Sequence, residues 1–382
     1  MRYRKFGRLD WQVSALGFGA MRLPVIDRDP SRIHEAEATQ MLHYAIDHGV
    51  NYVDTAYAYH GGMSEPFLGR ALQGGYRERV RLATKLPSWQ VERAEDFDRY
   101  LDEQLERLQT DYLDFYLLHN LNAKVWAKLR DLGVLHWAER AMASGRFRSF
   151  GFSFHDRYEV FREIVDATDL WTLCQIQYNY MDEHNQAGRR GLQYAAGKGL
   201  AVVVMEPIRG GSLARNIPPQ VQAIWDEAPV RRTPAEWALQ WVWNHPEVSV
   251  ALSGMSTMRH VVENVASADR SGPGTLTAEE LALIARVRDA YLGLRPIPCT
   301  DCGYCQPCPQ GVNIPRIFEL YNDAFMYRYP DRARAFYTWL RADERADQCI
   351  ACRECEEKCP QHIAIPDWLE KVHAFLTSEG GP

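Results

Sequence analysis

The fold turns on residues 80–118, where Val80-Arg-Leu-Ala-Thr84 is a short apolar run, Phe97, Leu101, Leu105 and Leu108 recur at the spacing of one helix face, and Asp114-Phe-Tyr-Leu-Leu118 is apolar again. A five-residue run is too short for a helix but fits a buried strand, and the segment between the two runs is long enough to cross back over a sheet. The pattern recurs outward in both directions, with further strand candidates at residues 15–19, 50–53, 149–152, 172–175, 201–204 and 249–252. Helical periods such as Ala38, Met41, Leu42, Ala45 and Ile46 lie between them. Alternating strand and helix implies a parallel sheet. Eight such repeats in about 250 residues fit a closed (β/α)8 barrel better than an open doubly wound sheet, and no GxGxxG follows the first strand.

A barrel of this size leaves part of a 382-residue chain over, so a second domain is expected. The periodic stretch through Leu281, Ile284 and Val287 gives way to Leu294-Arg-Pro-Ile-Pro-Cys299, which places the boundary near 295, with a barrel over 1–295 and a smaller, mainly α-helical domain over 296–382. The formal net charge of -6, with both signs interspersed, argues against a nucleic-acid partner. No apolar run approaches the roughly 20 residues that span a bilayer, and residues 1–10 are polar where a secretory signal would be apolar. The expectation is a cytoplasmic protein with no membrane partner; oligomeric state is not legible.

Eight of the nine cysteines lie after residue 298. In a reducing compartment such crowding points to metal or cluster ligation rather than disulfides. Cys349, Cys352, Cys355 and Cys359, followed by Pro360, give CxxCxxCxxxCP, in which three thiolates of one tight loop can meet a 4Fe-4S cube while the fourth serves another. Cys299, Cys302, Cys305 and Cys308, followed by Pro309, form a near copy whose last gap is one residue shorter. Cys308-Pro-Gln-Gly-Val-Asn-Ile-Pro315 also reappears as Cys359-Pro-Gln-His-Ile-Ala-Ile-Pro366, an internal repeat separated by a stretch of helix formers over 316–348. Paired tetrahedral zinc sites are the alternative, but triplet spacing followed by proline suits a cube better. The region resembles the bacterial two-cluster ferredoxins. That resemblance implies two 4Fe-4S clusters, one on Cys299, Cys302, Cys305 and Cys359 and the other on Cys349, Cys352, Cys355 and Cys308; the shortened gap leaves a single cluster open. Cys174, in an apolar strand, reads as core.

Barrels place their chemistry where strands end and βα loops begin. Asp54, Lys85 and His119 stand at such ends, and Tyr59 follows Asp54 by five residues. Each alone is an ordinary strand-end polar residue. Together they suit reduction of a carbonyl: the oxygen needs a proton donor as hydride arrives at carbon, Tyr59 can donate, an adjacent Lys85 ammonium would lower the phenol, Asp54 would hold Lys85, and His119 would orient the oxygen.

Through Gly17-Phe-Gly-Ala-Met21, Asp54-Thr-Ala-Tyr-Ala-Tyr59, Ala83-Thr-Lys85 and Leu117-Leu-His119, in order, the first 290 residues resemble the aldo/keto reductase family. The resemblance implies a catalytic set of Asp54, Tyr59, Lys85 and His119, a small carbonyl substrate, and NADP(H) lying extended over the barrel mouth, with NAD(H) left open. It further implies that Gly19, Ala20 and Met21 border the nicotinamide and that Ser153 and Gln175 bond its carboxamide. Glu206, Pro207, Gly210, Gly211 and Ser212 would approach the pyrophosphate, and Gly254, Met255, Ser256, Thr257, Glu263 and Asn264 the adenosine end. Two departures stand out: Phe154 and His155 follow Ser153 where many members have asparagine, and Gly254-Met255 lacks the lysine that often meets the 2'-phosphate, leaving Arg259 or His260 as the nearest cations.

Hydride carries an electron pair whereas each 4Fe-4S cluster takes one electron, and no flavin signature is evident. Three roles follow: a carbonyl reductase whose clusters are structural or redox-sensing, a relay from a redox protein partner through the clusters to the barrel mouth, or a nicotinamide-binding sensor with an interaction module. Substrate-setting loops at 27–35 and 123–135 carry no readable code, though Trp89, Trp126 and Trp137 are candidates for a pocket wall or for packing.

Overall fold

The computed structural model describes residues 1–378. The chain forms two compact units, one of residues 1–210 with 235–278 and the other of 211–234 with 279 onward.

The first unit opens with a hairpin, β1 (Tyr3–Lys5) and β2 (Gln12–Ser14). Eight strands follow: β3 (Leu16–Gly19), β4 (Tyr52–Asp54), β5 (Arg81–Leu86), β6 (Leu113–Leu121), β7 (Phe147–Phe154), β8 (Trp171–Gln177), β9 (Ala201–Met205) and β10 (Val248–Ser253). They close into a barrel, each strand pairing in parallel with the next and β10 returning to β3. This is the fold expected from the strand–helix alternation, and all eight expected strands are present. They read as continuous apolar runs because both faces are covered, by the barrel interior on one side and helices on the other.

The hairpin was not visible in the sequence, because three-residue strands carry no periodicity. Phe6, between its strands, packs with Tyr52, Phe115, Leu117 and Val203 in the barrel interior. Gly7 turns the chain there at φ +54; a Cβ would come within 2.4 Å of Ala201 N, so only glycine lets the two backbones approach this closely. Cys174 is fully buried, as expected of a core thiol.

In the second unit the internal repeat becomes structure. Val312 and Ile314 in one copy and Ile363 and Ile365 in the other are buried in one core, and each copy opens a 13-residue helix, Ile314–Met326 and Ile365–Thr377, with proline in the first turn. The entering strand of chain is pinned by Asn322, which accepts from Ile297 N (3.0 Å) and donates to Ile297 O (2.9 Å). Among the described residues no helix is long and apolar enough to cross a membrane.

Candidate active site

Asp54 is the last residue of β4, Lys85 and His119 lie near the carboxyl ends of β5 and β6, and Tyr59 opens the short 3-10 turn Tyr59–Gly62. Neighbouring parallel strands bring these positions side by side. Lys85 Nζ donates to Asp54 Oδ1 (2.6 Å), Thr55 O (2.7 Å) and Tyr59 Oη (3.3 Å), which uses all three ammonium protons. The second Asp54 oxygen accepts from Gln175 Nε2 (3.3 Å). Asp54 and Lys85 are buried, whereas the Tyr59 and His119 rings are half-buried and meet edge to face with centroids 5.9 Å apart. The sequence-predicted quartet therefore converges on one point.

Burial works against the Lys85 ammonium, but Asp54 and Tyr59 outweigh it and hold the lysine above its ordinary value. Burial pushes the Asp54 carboxyl up, and Lys85 opposes that push. With three oxygens around Nζ, the pair is an ammonium facing a carboxylate. Tyr59 differs from the sequence expectation: burial raises the phenol above its usual range and is the largest influence, while Lys85 draws it down without reversing the sign. Burial, aided by Lys85, keeps His119 well below the ordinary imidazole range, and its Nδ1 is buried with no hydrogen-bond partner. The ring is thus neutral at pH 7, able to donate one N–H and accept at the other nitrogen.

The carbonyl of Lys85 accepts from Gln104 Nε2 (3.1 Å), and Gln104 Oε1 accepts from Tyr116 Oη (2.7 Å). Thr84 Oγ1 donates to the buried Glu65 (2.6 Å) alongside. This support was not anticipated; its only signal in the sequence is a glutamine on the apolar face of the helix Glu95–Leu108. Trp89, half exposed, sets its ring 5.2 Å from His119, whereas Trp126 and Trp137 are buried in the packing. Arg22 was also missed. It follows Met21 directly, packs against Gly254, and its charge is felt at Tyr59.

Around the quartet, Gly19 ends β3 so close to β10 that a Cβ would lie 3.2 Å from Ser253 O; Ala20 is buried and Met21 is exposed. Ser153 and Gln175 are register partners on β7 and β8. Ser153 Oγ accepts from Asn120 N (2.8 Å), which leaves its own proton to donate. Phe154 closes β7 and His155 follows it, where burial lowers the imidazole below its ordinary value. After β9 come Glu206, whose carbonyl accepts from Asn179 (3.2 Å), then Pro207, and then a left-handed turn through Arg209 and Gly210. Arg209 is buried in an ion pair with Asp182. Gly211 and Ser212 belong to the second unit. After β10, Gly254, buried Met255 and Ser256 lead to Thr257, which caps the helix Met258–Ala268 through His260 N (3.3 Å). Glu263 pairs with Arg259 (3.2 Å), and Asn264 donates to Ser253 Oγ (3.1 Å).

In the second unit the cysteines line two cavities. One carries Cys299, Cys302, Cys305 and Cys359; the other carries Cys308, Cys349, Cys352 and Cys355, and Cys305 lines it too. Each cavity joins the final cysteine of one motif to three of the other, and Cys305 borders both. Among the described residues no three His, Cys, Asp or Glu side chains close around the position of one metal ion. Four thiols spread around one cavity, with no three of them closing on a single point, fit a cube of iron and sulfide better than a lone tetrahedral ion. Burial, together with neighbouring thiols Cys349, Cys352 and Cys308, pushes Cys355 up to about 11.

Residues 15–289 match the aldo/keto reductase family. The chain belongs to it. Relatives include the 6-dehydroglucose reductase of Novosphingobium aromaticivorans, 28% identical over 282 residues covering 68% of this chain and 88% of that protein. The L-galactose dehydrogenase of Arabidopsis thaliana is 27% identical over 282 residues, covering 69% and 87%. An aldo-keto reductase of Klebsiella pneumoniae, solved in complex with NADPH, aligns with a TM-score of 0.62 at 28% identity over 75% of this chain and 95% of that one. Residues 298–364 match the 4Fe-4S dicluster domain family. This is an oxidoreductase of the aldo/keto reductase family that carries a 4Fe-4S domain after its barrel.

Proposed function

We propose that the protein is an NADP(H)-dependent carbonyl reductase of the cytoplasm, with Tyr59 as general acid. The observation that carries the reading is Lys85 Nζ held at 2.6 Å from Asp54 and 3.3 Å from the hydroxyl of a half-buried Tyr59. NADPH, bound by the Klebsiella neighbour, would supply the hydride; Gly19, Ala20, Met21, Ser153 and Gln175 would hold the nicotinamide, and the 206–212 and 254–264 segments the phosphates and adenosine.

As a carbonyl carbon gains hydride, its oxygen becomes an alkoxide, far more basic than a phenolate, so proton transfer from Tyr59 is downhill even though burial keeps that phenol weakly acidic. Lys85 stabilises the phenolate left behind, Asp54 neutralises Lys85 without competing for the proton, and neutral His119 donates its N–H to the substrate oxygen. Trp89 walls the approach beside His119. Solvent returns the proton to Tyr59.

The experiment is NADPH oxidation by anaerobically purified protein against a panel of aldehydes and ketones across pH. His119 must be neutral and Tyr59 protonated. The first condition is met above an imidazole pKa held well below its usual 6.5, and the second below a phenol pKa raised above its usual 10. Turnover should therefore be flat from about pH 6 to 9, with any decline lying outside that window. Absence of carbonyl turnover across the panel would sink the reading.

For the cysteines the two cavities support two 4Fe-4S clusters, with a redox protein as a candidate partner. Their lining predicts that Cys359→Ser removes the same cluster as Cys299→Ser, and Cys308→Ser the same one as Cys355→Ser, each lowering iron from about eight to about four per chain. Spectra that pair Cys359→Ser with Cys349→Ser would refute the crossed assignment.

A further inference from the structure

The turn that carries Tyr59 is bound to the loop after β3 through the residue next to it. His60, 8% exposed, follows Tyr59 directly and has a left-handed backbone (φ 55, ψ 40), a conformation that disfavours any residue with a Cβ. Its ring meets two backbone groups of that loop: Leu23 N–H donates to Nε2 (3.2 Å), and Nδ1 lies 2.8 Å from Pro30 O. An acceptor at Nε2 and a donor at Nδ1 admit one tautomer, the neutral ring protonated at Nδ1, and burial favours that neutral form. Between its two anchor points the loop folds on itself through the Val25–Ile33 bridge and a bond from Ile26 N–H to Arg32 O (2.8 Å). Ser31 rests on Gly61, where a Cβ would come within 3.4 Å. The turn is tied at its other end as well. Ser64 Oγ donates to Ala20 O (3.3 Å) and shares a hydrogen bond with Thr55 Oγ1 (2.8 Å), and Thr55 O accepts from Lys85 Nζ.

We propose that His60 is a positioning residue for the general acid: its imidazole clamps the Tyr59 turn to the 23–30 loop and so fixes the reach of the Tyr59 hydroxyl toward Lys85. The inference rests on the reading of Tyr59 as that acid. The Tyr59 hydroxyl is 3.3 Å from Lys85 Nζ, the longest of the three bonds the lysine makes, so a small shift of the turn would break this bond first. Glycine would take the same left-handed backbone without strain. What histidine adds there is the pair of ring bonds that hold the turn in place.

The test is a double-mutant cycle of His60 with Tyr59 on the full-length, anaerobically purified protein. It reads single-turnover NADPH oxidation at saturating nucleotide, with the aldehyde of the panel above that turns over fastest, and amide exchange over residues 23–30. His60→Gly, which suits the backbone but deletes the ring, should slow the step by roughly ten- to a hundred-fold, as expected when a reacting group is misplaced, and should speed exchange in the loop. NADPH affinity should stay within about three-fold, since the expected cofactor contacts lie elsewhere. His60→Gln, whose amide can again accept from Leu23, should recover part of the rate. In a Tyr59→Phe background the same His60→Gly change should cost less than about three-fold, because a clamp acting through the phenol has nothing left to position. A full, multiplicative loss in that background, or an unchanged rate in His60→Gly, would overturn the proposal. So would a loss that follows a fall in melting temperature and is not recovered by glutamine. If Tyr59→Phe keeps full turnover while exchange over 23–30 still quickens in His60→Gly, the fault lies in the reading of Tyr59 as the acid, and the positioning role falls with it.

Discussion

Tyr59→Phe should lower NADPH-dependent carbonyl reduction by about a hundred- to ten-thousand-fold, the range expected when a positioned general acid is removed, while nucleotide affinity stays within a few-fold. The substitution deletes one oxygen and leaves the ring against His119, so neither the barrel nor the cofactor contacts expected at Ser153 and Gln175 should move. What disappears is the proton donor and the bond from Lys85. Single-turnover measurement with saturating NADPH would separate the chemical step from release. Retention of full turnover by Tyr59→Phe would assign the proton to another group and would leave Lys85 with no phenolate to stabilise.

Lys85→Met should combine a catalytic loss of similar size with a loss of stability. Lys85 and Asp54 are both buried, and removing the ammonium leaves the carboxylate with the hydrogen bond from Gln175 but no opposing charge. Breaking a buried pair from one side typically costs about 3–5 kcal/mol, more than the pair itself is worth, because an uncompensated charge stays in the interior. The control is Lys85→Met with Asp54→Asn, in which no charge remains buried. Denaturant unfolding, followed by a barrel tryptophan signal, should show most of the lost stability restored while turnover stays low. A double variant as unstable as the single one would mean that methionine packing, and not stranded charge, sets the cost.

The barrel was legible because each strand is a continuous apolar run bounded by polar turns, and eight of them in succession leave few closed arrangements. The quartet was legible for the related reason that a strand end fixes which loop a residue enters. What the sequence does not carry is the degree of desolvation. Proximity of Lys85 to Tyr59 could be anticipated, but not that burial would outweigh it and leave the phenol above its usual value. Nor does local composition encode contacts between distant segments. Phe6 filling the barrel floor, Gln104 bracing Lys85, and Arg332 reaching Ser212 each depend on packing that brings separated residues together. The crossed lining of the two cysteine cavities is an intermediate case: the spacing suggested it only through a family likeness, and the shortened gap before Cys308 left it open.

If the two proposed clusters form, that crossing makes them depend on one another. Each cavity draws its last thiol from the far motif, so iron bound in either one would rivet residues 299–308 to residues 349–359 and close a loop of some fifty residues, restricting the unfolded chain much as a covalent crosslink does. During synthesis neither proposed cluster would have its full set of thiols until the ribosome had passed Cys355 and Cys359. Oxidative loss of one cluster would likewise release a cysteine belonging to the loop that grips the other, so damage at one centre would loosen its neighbour.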